Sequence, residues 1–488
     1  MLYRPSLFRP RLPLLFVHAF LLAAGIGIPY GSSAQDAWSL QQCISYAGAN
    51  NLTLQQAQNS VTLARLNEQL NKRSRLPNLS GSAAGGSQFG RTIDPTTNSF
   101  DNQRINFNNL SVNMSVPLYS GGQINNSIQQ SALDLKAAQE DVAATYNNIA
   151  LSIANAYLQV LMSKEQLENA LSRRRLSAQQ LEQTDKLIET GSIPANDRLD
   201  VLAQIANDDQ TIIQARNQID ISLLNLKLLM QLDPESEFDV APPPADISSG
   251  IDPESLGFSE LYTTALNNQP QIKANEYRMG SAALGVEIAK GSLYPNLVLF
   301  GGVDSRWSSA ARSIDKILPT LISQNIIWNG LEQEILIPSQ EVTFKQDPYF
   351  NQLRENFGQS LGLSLRVPIY NNSLNRINVQ RATVGVQNAR INSDLTKQQL
   401  KNDIQQALAN ARAGQRAWEA ASTAVQAASA AYENADKRFR LGAINNLQLL
   451  TARNTYDIAR INLTISKYDY LFRLKILDFY QGKEIRLD

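Results

Sequence analysis

Two aspartates with helical spacing are the side chains in this sequence best suited to act on ions. Asp197 and Asp200 follow Gly191 and Pro194 in the stretch ETGSIPANDRLD, and residues three apart share one face of a helix. In an oligomeric pore, such carboxylates would form rings that favour cations. They would equally stabilise the N-terminus of a helix that starts near Pro194, by about 0.3–1 kcal/mol each. The sequence leaves both interpretations open.

Few other residues offer chemistry. His18 is the only histidine and Cys43 the only cysteine, and no nucleophile–base pair or metal-ligand motif stands out. We therefore predict a protein that is not an enzyme and that needs no metal or cofactor. Cys43 is expected to be a small buried side chain of the first helix, with a lipid-modified cysteine as the alternative.

The N-terminal region has the features of an export signal. Arginines precede an apolar run at 12–28 and small residues end at Ala34, so residues 1–34 are predicted to be a secretory signal peptide. No later apolar segment approaches the roughly 20 residues of a membrane-spanning helix, so any membrane span would be a β-barrel. The 44 basic and 44 acidic residues give no indication of a nucleic-acid partner. The run of arginines at 173–175 is interpreted as surface charge.

The mature sequence consists of two similar halves. The stretch SVPLYSGG around Pro117 matches RVPIYNNS around Pro368, and the same shift of about 250 positions places Gly191 on Gly442. The glycines of the first stretch resemble a phosphate-binding turn, but the second copy has asparagines there, so a shared phosphate site is not expected. The predicted units are a first structural repeat, a connector and a second structural repeat, at 35–232, 233–260 and 261–488.

Each repeat predicts the order helix, strand, strand, long helix and returning helix. The segments 123–190 and 374–441 lack proline and carry a seven-residue apolar series, which predicts two coiled-coil helices of roughly 100 Å each. The first helix, predicted at 51–75, and the returning helices, at 195–232 and 445–481, are shorter. Because a first helix and a returning helix together match one long helix, we expect them to stack end to end beside it.

The strands alternate between apolar and small polar residues. In the last of them, Leu361, Leu363 and Leu365 share one face, and glycine and serine occupy the other. This pattern suits a barrel with lipid outside and water inside, and a soluble sheet with one buried face is the alternative. Four strands per chain are too few for a closed membrane barrel, so several chains must contribute, and three would give twelve strands.

Loops connect the strands of each repeat, and a proline marks the end of the second strand. Loops are expected at 88–106 in the first repeat and at 304–355 in the second. Pro117 and Pro368 are expected where a strand leaves the sheet, because proline removes a backbone hydrogen-bond donor. The residues after each proline would then redirect the chain into a long helix.

The doubled order of elements resembles the TolC-type outer-membrane efflux channel family, the outer membrane factors. The resemblance rests on PNL before the first strand, VPLYSGG after the second and DVLAQ after Gly191, and it covers residues 38–481. It implies a mainly α-helical homotrimer with a transmembrane, twelve-stranded β-barrel in the outer membrane that a long α-helical barrel continues into the periplasm. It also implies a passive exit duct for efflux or type I secretion, docked on a periplasmic adaptor (membrane fusion) protein and an inner-membrane RND-type or ABC transporter. An outer-membrane-anchored coiled-coil structural or adhesion protein is the alternative.

The resemblance marks the hairpin turns at 191–202 and 442–450 as the periplasmic gate and the adaptor contact. The first turn holds both aspartates. The second departs from the family pattern, because Gln448 and Thr451 stand after Gly442 where an aspartate pair often occurs. An acidic ring is therefore expected from the first turn rather than the second.

Overall fold

The structure is a computed structural model that describes residues 37–93, 99–102, 104–242, 252–328, 330–483 and 485. The predicted signal peptide at 1–34 lies outside the described residues. Within them, no helix has an apolar stretch of the length that a lipid bilayer requires.

Helices dominate the described chain. The two long helices, α3 and α8, each contain 67 residues and confirm the predicted bounds to within one residue. The returning helices, α4 and α9, start one or two residues later than predicted and end one or two earlier. In chain order, the helices are α1 (Leu40–Asn50), α2 (Leu52–Arg73), α3 (Gln123–Glu189), α4 (Asp197–Met230), α5 (Phe258–Asn268), α6 (Pro270–Gly291), α7 (Tyr349–Glu355), α8 (Leu374–Arg440) and α9 (Asn446–Tyr480).

Each repeat begins with two helices, where the sequence predicted one. Ser39 and Gln42 form a capping box that starts α1, in which each side chain accepts the backbone N–H of the other residue. Asn51 ends α1 and caps α2 with its side-chain oxygen. Gln269 likewise lies between α5 and α6, but its side chain forms no capping hydrogen bond, and Pro270 begins α6. The predicted helix begins at the second cap of each repeat, so the short leading helices lie outside it.

The long helices form the frame against which the shorter ones pack. α2 and α4 lie along α3, and α6 and α9 lie along α8, so a first helix and a returning helix pack beside each long helix, as expected. α6 also packs against α3 and thereby joins the two repeats. The seven-residue apolar series supplies the contacts, since Ile153 and Val160 of α3, like Ile404 and Ala411 of α8, are fully buried.

Between the repeats, the connector packs against the start of the chain. Trp38 forms an isolated parallel bridge with Val240, and its N–H donates to the carbonyl of Asp239 at 2.9 Å. The hydroxyl of Tyr157 in α3 lies 2.6 Å from the carbonyl oxygen of Ala241. Beside it, Cys43 is fully buried as expected, and burial raises the pKa of its thiol to about 12. This core holds the described part of the connector against α3.

Each repeat contributes two long strands to one antiparallel sheet, as predicted. The strand order is β1-β4-β5-β8, so β1 and β8 are the edges of the sheet. A short pair, β2 and β3, extends the β1–β4 hairpin, and β6 pairs with β7. The strands are β1 (Asn78–Gln88), β2 (Arg91–Ile93), β3 (Phe100–Asn102), β4 (Ile105–Ser120), β5 (Asn296–Ser308), β6 (Arg312–Trp328), β7 (Leu331–Gln346) and β8 (Gly358–Arg366).

The prediction of a long loop at 304–355 is wrong. Most of this segment is strand β6, strand β7 and helix α7. The sequence carries an Asn-Gly dipeptide at 329–330, which is a strong hairpin signal between two runs rich in β-branched residues. Charged and polar residues interrupt these runs and weaken the strand pattern, which favours the prediction of a loop.

The two proline joints differ from each other. β8 ends at Arg366, two residues before Pro368. Pro117, in contrast, lies inside β4 and pairs with Val298, and the register shifts between Pro117 and Tyr119. The strand was expected to leave the sheet at Pro117, but it continues to the end of β4 through this β-bulge, which is how a sheet accommodates a residue without an N–H.

The turns after the prolines share an unusual backbone. Gly121 and Gly122 have φ of 60° and 81°, and their counterparts Asn372 and Ser373 have φ of 53° and 62°. Asparagine and serine therefore adopt the same left-handed turn in the second repeat. Gly121 is also constrained by contact, because a Cβ there would lie 2.3 Å from the carbonyl oxygen of Gly291 at the end of α6.

Candidate gate at the helical hairpin turns

The two hairpin turns have the same backbone geometry. After α3, the N–H groups of Gly191 and Ser192 donate to carbonyls three and five residues earlier, at 2.9 and 2.8 Å. After α8, the N–H groups of Gly442 and Ala443 do the same, both at 2.9 Å. Both glycines are left-handed, with φ of 69° and 67°. Each long helix therefore ends in a Schellman motif that reverses the chain.

In the first turn, both predicted aspartates lie at the start of α4. Pro194 precedes the helix, and its carbonyl accepts the N–H of Asp197 at 3.1 Å. Asp197 and Asp200 occupy the first helical turn, the former half-buried and the latter exposed. Within one chain, this placement suits stabilisation of the helix N-terminus.

In the second turn, a neutral side chain takes the capping role. The side-chain oxygen of Asn445 accepts the N–H of Gln448 at 2.9 Å at the start of α9. The Gln448 side chain is exposed. Leu441 and Leu447 flank this turn and are 83% and 71% exposed. The second turn therefore presents apolar and neutral groups to its surroundings.

Close to the turns, the ion pairs are exposed. Asp185 of α3 pairs with Arg198 of α4 at 2.9 Å, and Arg440 pairs with Asp436 of its own helix at 2.8 Å. Exposed pairs of this kind contribute between about 0 and 1 kcal/mol, because water screens them. They orient the turns weakly.

Further along the helices, a buried carboxylate joins α3 to α4. Asp208 is fully buried, and Nε of Arg173 lies 2.8 Å from its Oδ1. Gln204 donates to the same oxygen at 2.9 Å, and the hydroxyl of Ser177 donates to Oδ2. Three donors thus partner the carboxylate, as burial of a charge requires.

Arg453 of α9 reaches the same region from the second hairpin. It is 3% exposed, and it donates to the carbonyl of Arg173 and, at 3.3 Å, to the side chain of Gln180. Its Nε lies 3.7 Å from the carboxylate of Asp457. Burial raises the pKa of Asp457, and the positive charge of Arg453 opposes that shift. We call Arg173, Asp208, Arg453 and Asp457 the buried ion cluster, and it ties α9 to α3 and α4.

The interpretation of residues 173–175 as surface charge is therefore wrong for Arg173. Arg174 fits it better, since it pairs at 2.8 Å with Asp209, whose side chain is half exposed. A signal was present, because an arginine interrupts the seven-residue apolar series of α3 at position 174. A charge beside a coiled-coil seam indicates a partner on a packed helix. Arg453, which donates to the carbonyl of Arg173, is 280 residues away from it in the sequence.

The chemistry of this region is conformational rather than covalent. In the part of the chain that the structure describes, no group of three or more His, Cys, Asp or Glu residues could hold a metal ion. The polar side chains at the turns cap helices, and those of the buried ion cluster link helices. Such links control how closely the two hairpins lie to each other.

Solved structures show where this arrangement occurs. The fold superposes on the crystal structure of CusC, described in terms of folding and transmembrane channel formation, with a TM-score of 0.73 over 91% of this chain and 92% of that chain. The sequences are 17% identical, so the likeness shows the fold. The duplicated helices, the four-stranded sheet and the paired hairpins are thus a fold that the chain shares with CusC.

Sequence comparisons then identify the family. A model of the outer membrane efflux protein family matches residues 43–230 and 261–482, and the chain belongs to this family. It is 26% identical over 214 residues to outer membrane protein TolC of Vibrio cholerae and 28% identical over 211 residues to the pyoverdine export outer membrane protein OpmQ of Pseudomonas aeruginosa. The matches cover 44% and 41% of this chain and span less than half of each relative, 47% and 41%.

Family membership confirms the resemblance to TolC-like channels and the predicted location. The protein belongs to the outer membrane, and its helical tunnel extends into the periplasm. The family and its channel structures also agree with the prediction that the chain is not an enzyme.

Proposed function

We propose that three copies of the chain form a channel-tunnel that serves as the passive exit duct of a tripartite efflux pump or a type I secretion system. The observation that carries the proposal is the four-stranded sheet. Within the described chain, each of its edge strands, β1 and β8, pairs with another strand on one side only. An open sheet edge in lipid is prohibitively costly, because its N–H and C=O groups find no water. Three copies would close the sheet into a barrel of twelve strands.

The outward face of the sheet supports this assembly. Leu361, Leu363 and Leu365 of β8 are 76%, 63% and 63% exposed in the single chain. Lipid would cover these side chains in the barrel, whereas the serines and glycines between them would face water.

In this proposal, the hairpin turns close the periplasmic end of the tunnel. Asp197 and Asp200 of three copies would form carboxylate rings at that constriction, and the second turn would add Gln448 without charge. The buried ion cluster holds α9 against α3, so the two hairpins of one copy resist separation. Opening requires an external pull that spreads the turns, and the energy for transport comes from the partner pump.

The proposed partners follow from the exposed side chains of the turns and from the family. Leu199, Leu441 and Leu447 are 63%, 83% and 71% exposed at the tips of the hairpins. Apolar groups in such a position suit a contact with the tip of a periplasmic adaptor protein. The adaptor would connect the duct to an inner-membrane RND-type or ABC transporter.

A cross-linking experiment tests the proposed docking. A photoreactive amino acid at Gln448 should capture the adaptor in cells. The same group at Arg65, an exposed position of α2 far from the turns, should not. Equal capture from both positions, or none from Gln448 in a chain that still assembles, would contradict docking at the turns.

A further inference from the structure

The hairpin of β6 and β7, which we call the outer hairpin (Arg312–Gln346), is a large element without a partner in the single chain. Its strands contain 17 and 16 residues, so it extends about 50 Å at the usual rise of a strand. It follows β5 and precedes β8, at the end of the sheet opposite the helices. Since the helices lie in the periplasm, the outer hairpin belongs to the cell exterior.

The base of the outer hairpin is held firmly. Gln352 of α7 is buried, and its amide group bonds to both the N–H and the carbonyl of Ser308, at 2.9 and 3.1 Å, and to the carbonyl of Asp347 at 2.8 Å. The N–H of Asp347 also donates to the carbonyl of Ala311 at 3.1 Å. These bonds fix where the hairpin leaves the sheet, so it is a rooted element rather than a loose loop.

Beyond its base, the outer hairpin exposes apolar side chains on both faces, interspersed with polar and charged ones. The pairing register places Leu321 and Leu336 on one face, and Ile322 and Ile335 on the other. They are 58%, 63%, 50% and 38% exposed. The first face continues toward the base with Ile317, Val342, Ile314 and Phe344, and the second with Ile337 and Leu318.

In the single chain, the outer hairpin leaves its apolar side chains exposed. No other helix or strand of the described chain packs along it. A two-stranded hairpin is marginally stable in water, and unpaired edges with apolar faces favour association. A lipid surface or the outside of the same barrel would cover one face and leave the other in water. The occupant must therefore contact both faces.

We propose that the outer hairpins of three copies pack together as an apolar cap over the outer mouth of the barrel. This inference depends on the proposed trimer, which places three hairpin bases around one axis. A threefold ring uses two different surfaces of each copy, and the outer hairpin offers two apolar faces. One face of each hairpin meets the opposite face of its neighbour.

The polar residues of the hairpin fit this arrangement. At the tip, Glu332 and Glu334 accept hydrogen bonds from the opposite strand, whereas the apolar Ile327 is 80% exposed. Near the base, Lys345 pairs with Asp315 at 3.2 Å. The apolar stretch lies between these two polar ends. The carboxylates that form hydrogen bonds or ion pairs therefore lie toward the two ends of the cap.

Disulfide formation between copies tests the cap. A Leu321→Cys, Ile335→Cys double variant places one thiol on each face, and thiols that point apart cannot bridge within one hairpin. Oxidation of the native assembly should shift most of the chain from monomer to covalent dimer and trimer on a denaturing gel. Each single variant should remain monomeric, because it lacks the thiol on the opposite face, and Cys43 is buried.

The mass of the assembly, measured in detergent on the same samples, separates the possible failures. A trimer without disulfides in the double variant would overturn the cap and leave the proposed function intact. A trimer in which both cysteines react readily with a water-soluble maleimide would do the same. A monomer would overturn the proposed function together with the cap.

Discussion

At the scale of single residues, the buried ion cluster explains how a channel protein keeps charges inside its helical wall. A buried charge is tolerated when hydrogen bonds replace its lost water, and Asp208 receives three of them. Arg453 is less completely satisfied, because its Nε is 3.7 Å from the carboxylate of Asp457. The buried ion cluster therefore links the two hairpins, and a change at Arg453 can disrupt this link.

Removal of Arg453 should destabilise the assembled protein. Arg453→Met leaves the Asp457 carboxylate buried without its cation, which typically costs about 3–5 kcal/mol. Arg174→Met is the matched control, since it breaks an exposed pair worth at most about 1 kcal/mol. Thermal unfolding followed by circular dichroism should show a large fall in Tm for the first variant and a small one for the second. Equal shifts would mean that the cluster does not link the hairpins.

The carboxyl of Asp457 should make stability depend on pH. Because burial raises its pKa, the native state binds the proton more tightly than the unfolded state does. The stability from this group is complete below the ordinary pKa of 3.8 and is lost as pH rises through the native pKa.

Asp457→Asn removes this dependence. The Tm of the variant should rise relative to that of the native protein as pH increases from about 4, and the difference should level off above the native pKa. A difference that stays constant or narrows with rising pH would contradict the assigned shift. The comparison cancels the other titrating groups, which both proteins share.

At the scale of elements, the long helices were predictable because their signal is repeated. Proline is absent from α3 and α8, and the apolar series recurs at intervals of seven residues from Tyr146 to Ile188 and from Ile404 to Phe439. Gly191 and Gly442 follow the C-terminal ends of the two helices, and the predicted bounds of α3 and α8 are correct to within one residue. Repetition between the halves reinforced each local signal.

The comparison of the two repeats does not predict an element that has no similar counterpart in the other repeat. The outer hairpin has no counterpart of similar length in the first repeat, where β2 and β3 contain three residues each, so the comparison of halves that located the other strands could not locate it. The buried ion cluster was missed for a different reason. Arg453 and Arg173 meet only through the packing of α9 against α3, and nothing in the local sequence specifies that pairing.

The joint between β4 and α3 should be intolerant of a side chain at Gly121. Gly121→Ala adds a methyl group 2.3 Å from the carbonyl oxygen of Gly291 in a left-handed backbone. Gly330→Ala is the control, because that residue is also left-handed and has open space around it. Both changes carry a backbone strain of about 1–2 kcal/mol, and the first adds a clash between sheet and helix. The expected result is a clearly lower Tm and a lower trimer yield for Gly121→Ala than for Gly330→Ala, and similar losses would contradict the close contact.

At the scale of the whole molecule, the two interpretations of Asp197 and Asp200 give different outcomes. If the carboxylates form rings at the gate, the Asp197→Asn, Asp200→Asn variant should lose cation preference, measured as a shift of the reversal potential toward zero in a salt gradient. If they act on the helix N-terminus alone, the Tm should fall slightly and the reversal potential should not move. The rings follow from the proposed trimer, so the first outcome is expected.

We propose a duct that is closed by contacts within the assembly and opened by partner proteins. Each contact at the turns is weak or local, whereas the buried ion cluster resists separation of the hairpins. The outer hairpin adds a second contact at the opposite end. In the proposed trimer, the function depends on a continuous aqueous path through the assembly.

Single-channel recording in a planar lipid bilayer tests that path most directly. The purified native protein, Arg453→Met, and Arg453→Met with residues 312–346 replaced by a short Gly-Ser linker should be compared. Discrete conductance steps are expected, and they should become larger as the hairpin link and then the outer hairpin are removed. If the trimers of all three proteins insert and none gives a conductance step, the proposed duct is wrong.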